Sequence, residues 1–138
     1  MAHIVILGAG VGGMPAAYEM RELLAKEHTI TVVSAVDYFQ FVPSNPWVLV
    51  GWRERDDILV DLAKPMKKRH IELVVGKAAR VKPDQQQVRL DDGREIPYDY
   101  LVIATGPKLS FAEVPGAGPH DGHTQSVCTL DHAEQSYA

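Results

Sequence analysis

Gly8-Ala9-Gly10-Val11-Gly12-Gly13 places four glycines in six residues, between an apolar run and an amphipathic segment. Before it, His3-Ile4-Val5-Ile6-Leu7 has the unbroken, β-branched character of a strand buried on both faces. After it, Ala16, Ala17, Met20, Leu23 and Leu24 recur at helical spacing, with Glu19, Arg21, Glu22 and Lys26 on the other side. A second apolar run, Ile30 to Val33, follows directly. Strand, tight turn, helix and parallel strand open a doubly wound, Rossmann-like α/β sheet, with Ile4 to Leu7 as its central strand.

In that context each glycine has a physical task. Gly8 permits the tight turn, Gly10 lets the backbone approach a pyrophosphate, and Gly13 lets helix and strand pack closely. The free N–H groups and positive dipole of the helix start suit phosphate oxygens, so Gly8, Ala9, Gly10, Gly12 and Gly13 are candidate dinucleotide contacts. At the end of the second strand, where an acidic residue usually holds the ribose hydroxyls, stand Ser34 and Ala35, with Asp37 further on. A serine hydroxyl holds a ribose less firmly than a carboxylate, and no nearby arginine argues for a 2′-phosphate, which disfavours NADP.

The rest of the chain reads as supporting structure. Asp37 to Val50 is aromatic and proline-containing and predicts an ordered loop leading into a short helix. Asp57 to Arg69 predicts one or two short helices interrupted at Pro65, with Lys67, Lys68 and Arg69 as a solvated basic end. Ile71 to Val75, Arg80 to Lys82 and Gln87 to Leu90 read as strands, and Asp92-Gly93 before Ile96 predicts a hairpin, so a small antiparallel β insertion is expected. Tyr100 to Ala104 returns to a buried strand ending at Thr105-Gly106. Gly106 to Gly122 reads as a surface connection, and Asp131 to Ala138 as a helix in which the chain ends.

With 138 residues, 46% of them hydrophobic, the chain suits one soluble domain with a real core. A formal charge of -4 with both signs interspersed gives no basic stripe for nucleic acid. No signal peptide and no run of transmembrane length is predicted, so membrane contact is expected only through sequence absent here. A single cysteine, Cys128, excludes an internal disulfide, and such a lone residue is most often a buried, inert small hydrophobe. His120 and His123 lack the further ligands of a zinc site, so no metal is expected.

Tyr98-Asp99-Tyr100-Leu101-Val102-Ile103-Ala104-Thr105-Gly106 resembles the apolar strand ending in Ala-Thr-Gly of two-dinucleotide-domain flavoproteins. Together with the hairpin insertion, it makes nearly the whole chain similar to flavin disulfide-reductase-like enzymes. Tyr38-Phe39-Gln40-Phe41-Val42-Pro43-Ser44-Asn45-Pro46-Trp47, followed by Gly51-Trp52-Arg53, resembles the sulfide:quinone oxidoreductase group within them. The resemblance implies bound FAD, sulfide as electron donor and quinone as acceptor in an intact, peripherally membrane-associated enzyme. It places Pro43 and Ser44 on the flavin side, Ala78 and Ala79 beside the adenine, and Thr105 and Gly106 close to the cofactor. Cys128 matches a position where a cysteine lies near the flavin, and His132, four residues on, would share its helix face.

The resemblance also implies that residues 1–138 are only the N-terminal FAD-binding domain, without the second nucleotide-fold domain, the downstream cysteine pair or the C-terminal region. Such a chain is expected not to turn over sulfide alone, to hold FAD poorly or sparsely, and to self-associate through exposed apolar surface. Two other readings stay open on the sequence: an FAD-dependent NAD(P)H dehydrogenase of similar build, and a nucleotide-binding module without catalysis.

Overall fold

The structure is a computed structural model and describes residues 1–113 and 129–137. In chain order the elements are β1 (His3–Leu7), α1 (Gly13–Leu23), β2 (Thr29–Ser34), β3 (Tyr38–Gln40), α2 (Asn45–Leu49), β4 (Leu59–Asp61), α3 (Ala63–Lys68), β5 (Glu72–Val75), β6 (Ala78–Lys82), β7 (Gln87–Leu90), β8 (Glu95–Pro97), β9 (Tyr100–Ile103) and α4 (Leu130–Tyr137). They fall into two compact units, Met1–Phe39 with Asp61–Gly106 and Gln40–Val60 with Pro107–Ala138.

The first unit is built on a parallel sheet of order β5-β2-β1-β9, with β1 in its interior. Strand alternation divides its side chains between two faces. Ile4, Ile6, Ile30 and Val32 point to one face and pack with Met14 and Ala17 of α1 and with Leu62, Met66 and Ile71. Val5, Leu7 and Val33 point to the other and pack with Val88 and Leu90 of an antiparallel sheet of order β6-β7-β8. Two-sided burial is why β1 has no polar residue between Ile4 and Leu7. At the amino edge of the second face, His3 Nε2 lies 2.7 Å from the Thr31 hydroxyl, which donates to Glu72 at 2.9 Å. That chain satisfies the polar group of a threonine that is only 1% exposed.

Helix α1 ends without a glycine cap. Instead the Arg21 guanidinium donates to the carbonyls of His28, Leu24 and Ala25 at 2.8, 3.1 and 2.7 Å, satisfying groups that the helix end leaves without partners. Arg69 then pairs with Glu22 of α1 at 2.7 Å and lies over the Tyr18 ring.

Three expectations for the middle of the chain need correction. Asp57 to Arg69 is not helix alone, because β4 runs through Leu59–Asp61 and pairs with β3 in a two-stranded sheet. Pro65 does not interrupt α3. It is the helix's third residue, where a missing N–H costs nothing because first-turn N–H groups have no partner inside the helix. The strand at Tyr38–Gln40 likewise replaces part of the predicted loop.

In the second unit a 3-10 turn at Val42–Ser44 leads into α2, and a second one covers Arg55–Ile58. Its apolar core is Val48, Ile58, Leu130 and Ala133, with Leu49 and Leu59 packed against it. Polar contacts add to this small core. Glu54 and Asp57 form a reciprocal capping box, and Arg55 bridges Asp131 and Glu134 of α4 at 2.8 and 2.9 Å. Gly51, at φ +69°, lies against the Tyr137 ring, where a Cβ would collide. Among the described residues no helix is long and apolar enough to cross a membrane.

Candidate dinucleotide site

The carboxyl edge of the parallel sheet is extended by one residue at three strands. Gly8 N–H donates to Val33 O, Gly76 N–H to Ser34 O and Ala104 N–H to Leu7 O, each at 2.8 Å. Gly8, Ser34, Gly76 and Ala104 therefore line one edge, with the start of α1 rising from it. Order reverses between β2 and β9 on either side of β1, which makes this edge the switch point where open α/β sheets take ligands.

The four glycines of the turn divide into two kinds. Gly8 has φ +102°, and a Cβ there would strike the Ala104 carbonyl and lie 3.1 Å from Thr105 Cα. A Cβ on Gly13 would strike the Gly8 carbonyl. The fold itself requires glycine at both positions. Gly10 is different: a Cβ there would meet nothing within 4 Å, and at Gly12 the nearest atom is the Ala104 methyl, an ordinary contact at 3.8 Å. Internal packing leaves the space over Gly10 open, and an exposed backbone without a side chain is what close approach of a pyrophosphate needs. The helix start matches that charge, since the Gly12 N-cap has no side-chain cap and the first turn of α1 carries no acidic residue. Ala9 is buried in the core beneath the turn.

Ser34 is buried at the tip of β2, and its oxygen accepts the Val36 N–H at 3.4 Å. That bond uses a lone pair and leaves the hydroxyl proton for another acceptor, such as a ribose oxygen. Ala35 follows as an exposed residue. Thr105 and Gly106 lie just past β9 on the same edge, exposed, with Gly106 at φ +75°. Ala78 and Ala79 separate: Ala78 packs into the cluster between the two sheets, whereas Ala79 is exposed at a bulge where the β6–β7 register shifts.

The remaining candidates belong to the second unit. Pro43 is exposed in the 3-10 turn, while Ser44 is buried and its N–H donates to Phe41 O at 2.9 Å. Asn45, fully buried beside it, accepts from the Gln40 amide at 2.8 Å. His132 is 4% exposed on α4, tilted against the Phe111 ring with centroids 4.9 Å apart. Cys128, His120 and His123 lie outside the described residues. No group of three or more His, Cys, Asp or Glu side chains is placed to hold a metal ion among the described residues.

One residue of this edge was not apparent from the sequence. Arg94, in the hairpin between β7 and β8, donates from Nη2 to the Val75 carbonyl at 2.6 Å, next to the Gly76 tip. Asp92, two residues earlier, holds its Nε at 2.7 Å. An aspartate so placed in a tight turn was the available signal, but the reach to β5 is tertiary.

The pyridine nucleotide-disulphide oxidoreductase family matches residues 2–137. The chain belongs to that family. It is 44% identical to a sulfide-quinone reductase of Aquifex aeolicus over 131 residues, covering 95% of this chain and 29% of that protein. It is 28% identical to the mitochondrial sulfide:quinone oxidoreductase of Mus musculus, covering 94% and 29%. The X-ray structure of the Aquifex aeolicus sulfide:quinone oxidoreductase superposes with a TM-score of 0.87 at 42% identity, over 99% of this chain and 31% of that one. The chain thus spans less than a third of the length of the curated relatives it matches first.

Proposed function

We propose that residues 1–138 form the N-terminal FAD-binding domain of a sulfide:quinone oxidoreductase. The observation that carries this reading is 44% identity to the Aquifex aeolicus enzyme across 95% of the chain. The open backbone at Gly10 and the uncapped start of α1 fit the diphosphate of such a cofactor.

When bound, FAD would supply the two-electron carrier between sulfide and quinone. The chain's own part is binding and orientation. Gly8 and Gly13 hold the turn, and Gly10 and the first N–H groups of α1 receive phosphate oxygens. Ser34 donates its hydroxyl proton to the adenosine ribose, with Ala35 beside it. Thr105 and Gly106 line the other side of the edge, and Pro43 and Ser44 contribute on the flavin side. Cys128 is assigned the thiolate on the sulfide side and His132 the imidazole that favours that thiolate. The whole protein acts on sulfide and quinone and associates with the membrane surface through sequence beyond this chain.

Two measurements test the reading. Titrating the purified 138-residue chain with FAD should give weak binding that dialysis reverses, because the chain spans less than a third of its relatives' length and the rest of the flavin's enclosure is assigned to sequence outside it. Stoichiometric yellow protein that survives dialysis would show a sufficient site and overturn that part. In a protein carrying this chain with the remainder of the enzyme, anaerobic sulfide should bleach the flavin and NADH should not. Bleaching by NADH alone would move the chain to the NADH dehydrogenase reading.

A further inference from the structure

The carboxyl edge continues from Ser34 to the tip of β5, and there the main chain is held from two directions. Gly76 N–H donates to Ser34 O at 2.8 Å. From the β7–β8 hairpin, Asp91 N–H donates to Lys77 O at 2.9 Å and Arg94 Nη2 to Val75 O at 2.6 Å. Gly76 lies between these two clasps, and a Cβ there would come within 2.8 Å of both Arg94 Nη2 and Leu90 Cδ1, so that these side-chain ends would have to shift. Arg94 is itself fixed, with Nε on Asp92 at 2.7 Å and its own N–H on the second Asp92 oxygen at 3.0 Å. Two residues past the clasped segment comes the bulge at Ala79. A bulged residue is unpaired in the ladder, so its N–H and C=O are available to a ligand, and Ala79 is exposed.

We propose that Arg94 is a positioning residue for a purine. By tying the tip of β5 to the hairpin, it fixes the main chain leading to Ala79, so that this backbone reads the edge of an adenine whose ribose lies at Ser34. This deepens the proposed function and rests on it, because it takes the cofactor's adenosine half to lie across β2 and β5. A fixed N–H and C=O pattern distinguishes adenine from hypoxanthine, in which an amino donor becomes a carbonyl acceptor and a ring acceptor becomes an N–H donor. An arginine serves here because one planar fork can hold Asp92 and Val75 O together, whereas a lysine offers a single ammonium.

Calorimetric titration of the full chain with ADP and with inosine diphosphate tests this. The wild type should prefer ADP. Arg94→Ala should weaken ADP by about tenfold, the scale of losing one charge-assisted hydrogen bond, and leave inosine diphosphate nearly unchanged, so that the preference disappears. Arg94→Lys should behave as Arg94→Ala does. Asp92→Asn, which keeps the guanidinium but loosens it, should lose part of the preference and carries the test if Arg94→Ala does not fold. Retention of the ADP preference in a folded Arg94→Ala overturns the proposal. So does an equal weakening of both nucleotides that Arg94→Lys restores, which would mark a simple charge effect on the diphosphate. A folded wild type that binds neither nucleotide at millimolar concentration fails at the earlier step, and it removes the cofactor site together with this role for Arg94.

Discussion

Ile6 and Leu130 are both buried, at 0% and 4% exposure, but in different surroundings. Ile6 lies in the central strand of a sheet covered on both faces, in a cluster that draws on two strands beside its own and on two helices. Leu130 lies in a cluster whose other buried members are Val48, Ile58 and Ala133. Around Leu130 more of the fixing is polar, through the Glu54–Asp57 capping box and the Arg55 bridge to α4. A core with many apolar neighbours gives each deletion a large cavity term, whereas a small core held by exposed ion pairs opens locally at modest cost. The first unit should therefore set global stability, and the second the first opening event.

The strongest way to break that contrast is Ile6→Ala. It should cost roughly 3–4 kcal/mol, the middle of the range for large-to-alanine changes in a tight core, read as a shift of the urea midpoint. Gly8→Ala should be comparably damaging, because a left-handed φ of +102° and a backbone collision with Ala104 act together. A loss below about 1 kcal/mol in both would mean that the first unit is not the stability-setting one. Leu130→Ala is the next largest. It should cost roughly 2 kcal/mol locally, seen as faster hydrogen exchange in α2 and α4 while amides of β1 and β2 keep their protection. Uniform loss of protection across both units would erase the comparison. Arg55→Ala should cost only about 0.5–1 kcal/mol, since the arginine side chain is 36% exposed and its partner Asp131 is 70% exposed, and 1 M salt should remove most of the difference from wild type.

Legibility in the sequence follows the range of each signal and not the division into two units, since Pro65 and Arg94 both lie in the first. The β1–α1–β2 opening was readable because each signal is local: the apolar run, the glycines and the helical spacing lie next to one another in sequence. Gly8 and Gly13 could be assigned structural tasks for that reason. The Asp92-Gly93 hairpin was legible in the same way. The strand at Leu59–Asp61 was not, because three residues carry too short a pattern and its partner, Tyr38–Gln40, stands some twenty residues earlier in an aromatic stretch. Pro65 misled because a proline inside a helical pattern normally breaks it, and only the position of the helix start shows that it falls in the first turn. Arg94 was invisible for a different reason. Its contact with Val75 spans 19 residues and exists only once the antiparallel sheet has folded over the parallel one.

The smallest effect expected is electrostatic and sharpens the comparison at its stable end. The Arg94 guanidinium beside Asp92 holds that carboxyl below its ordinary value, and the Lys82 ammonium does the same for Glu95. Both pairs lie in the antiparallel sheet of the first unit, and both are open to solvent. A carboxylate whose folded pKa is depressed adds stability at pH values above its unfolded pKa, and that stability is lost as pH falls through the folded pKa. The first unit should accordingly lose a little stability on acidification from the ordinary carboxylate range downward and gain none above it. Solvent screening keeps the change small, so the measurement is a difference: the pH dependence of Tm for wild type against Asp92→Asn, at low and at high salt. The wild-type curve should fall more steeply on the acid side at low salt and coincide with the variant in 1 M salt. Carboxyl-carbon NMR titration should place Asp92 below a solvated aspartate in the folded chain. Identical curves at low salt, or an Asp92 that titrates at its ordinary value, would mean that the Arg94 fork does not hold Asp92 in solution, and the rigid hairpin assigned to the adenine side would lose its anchor.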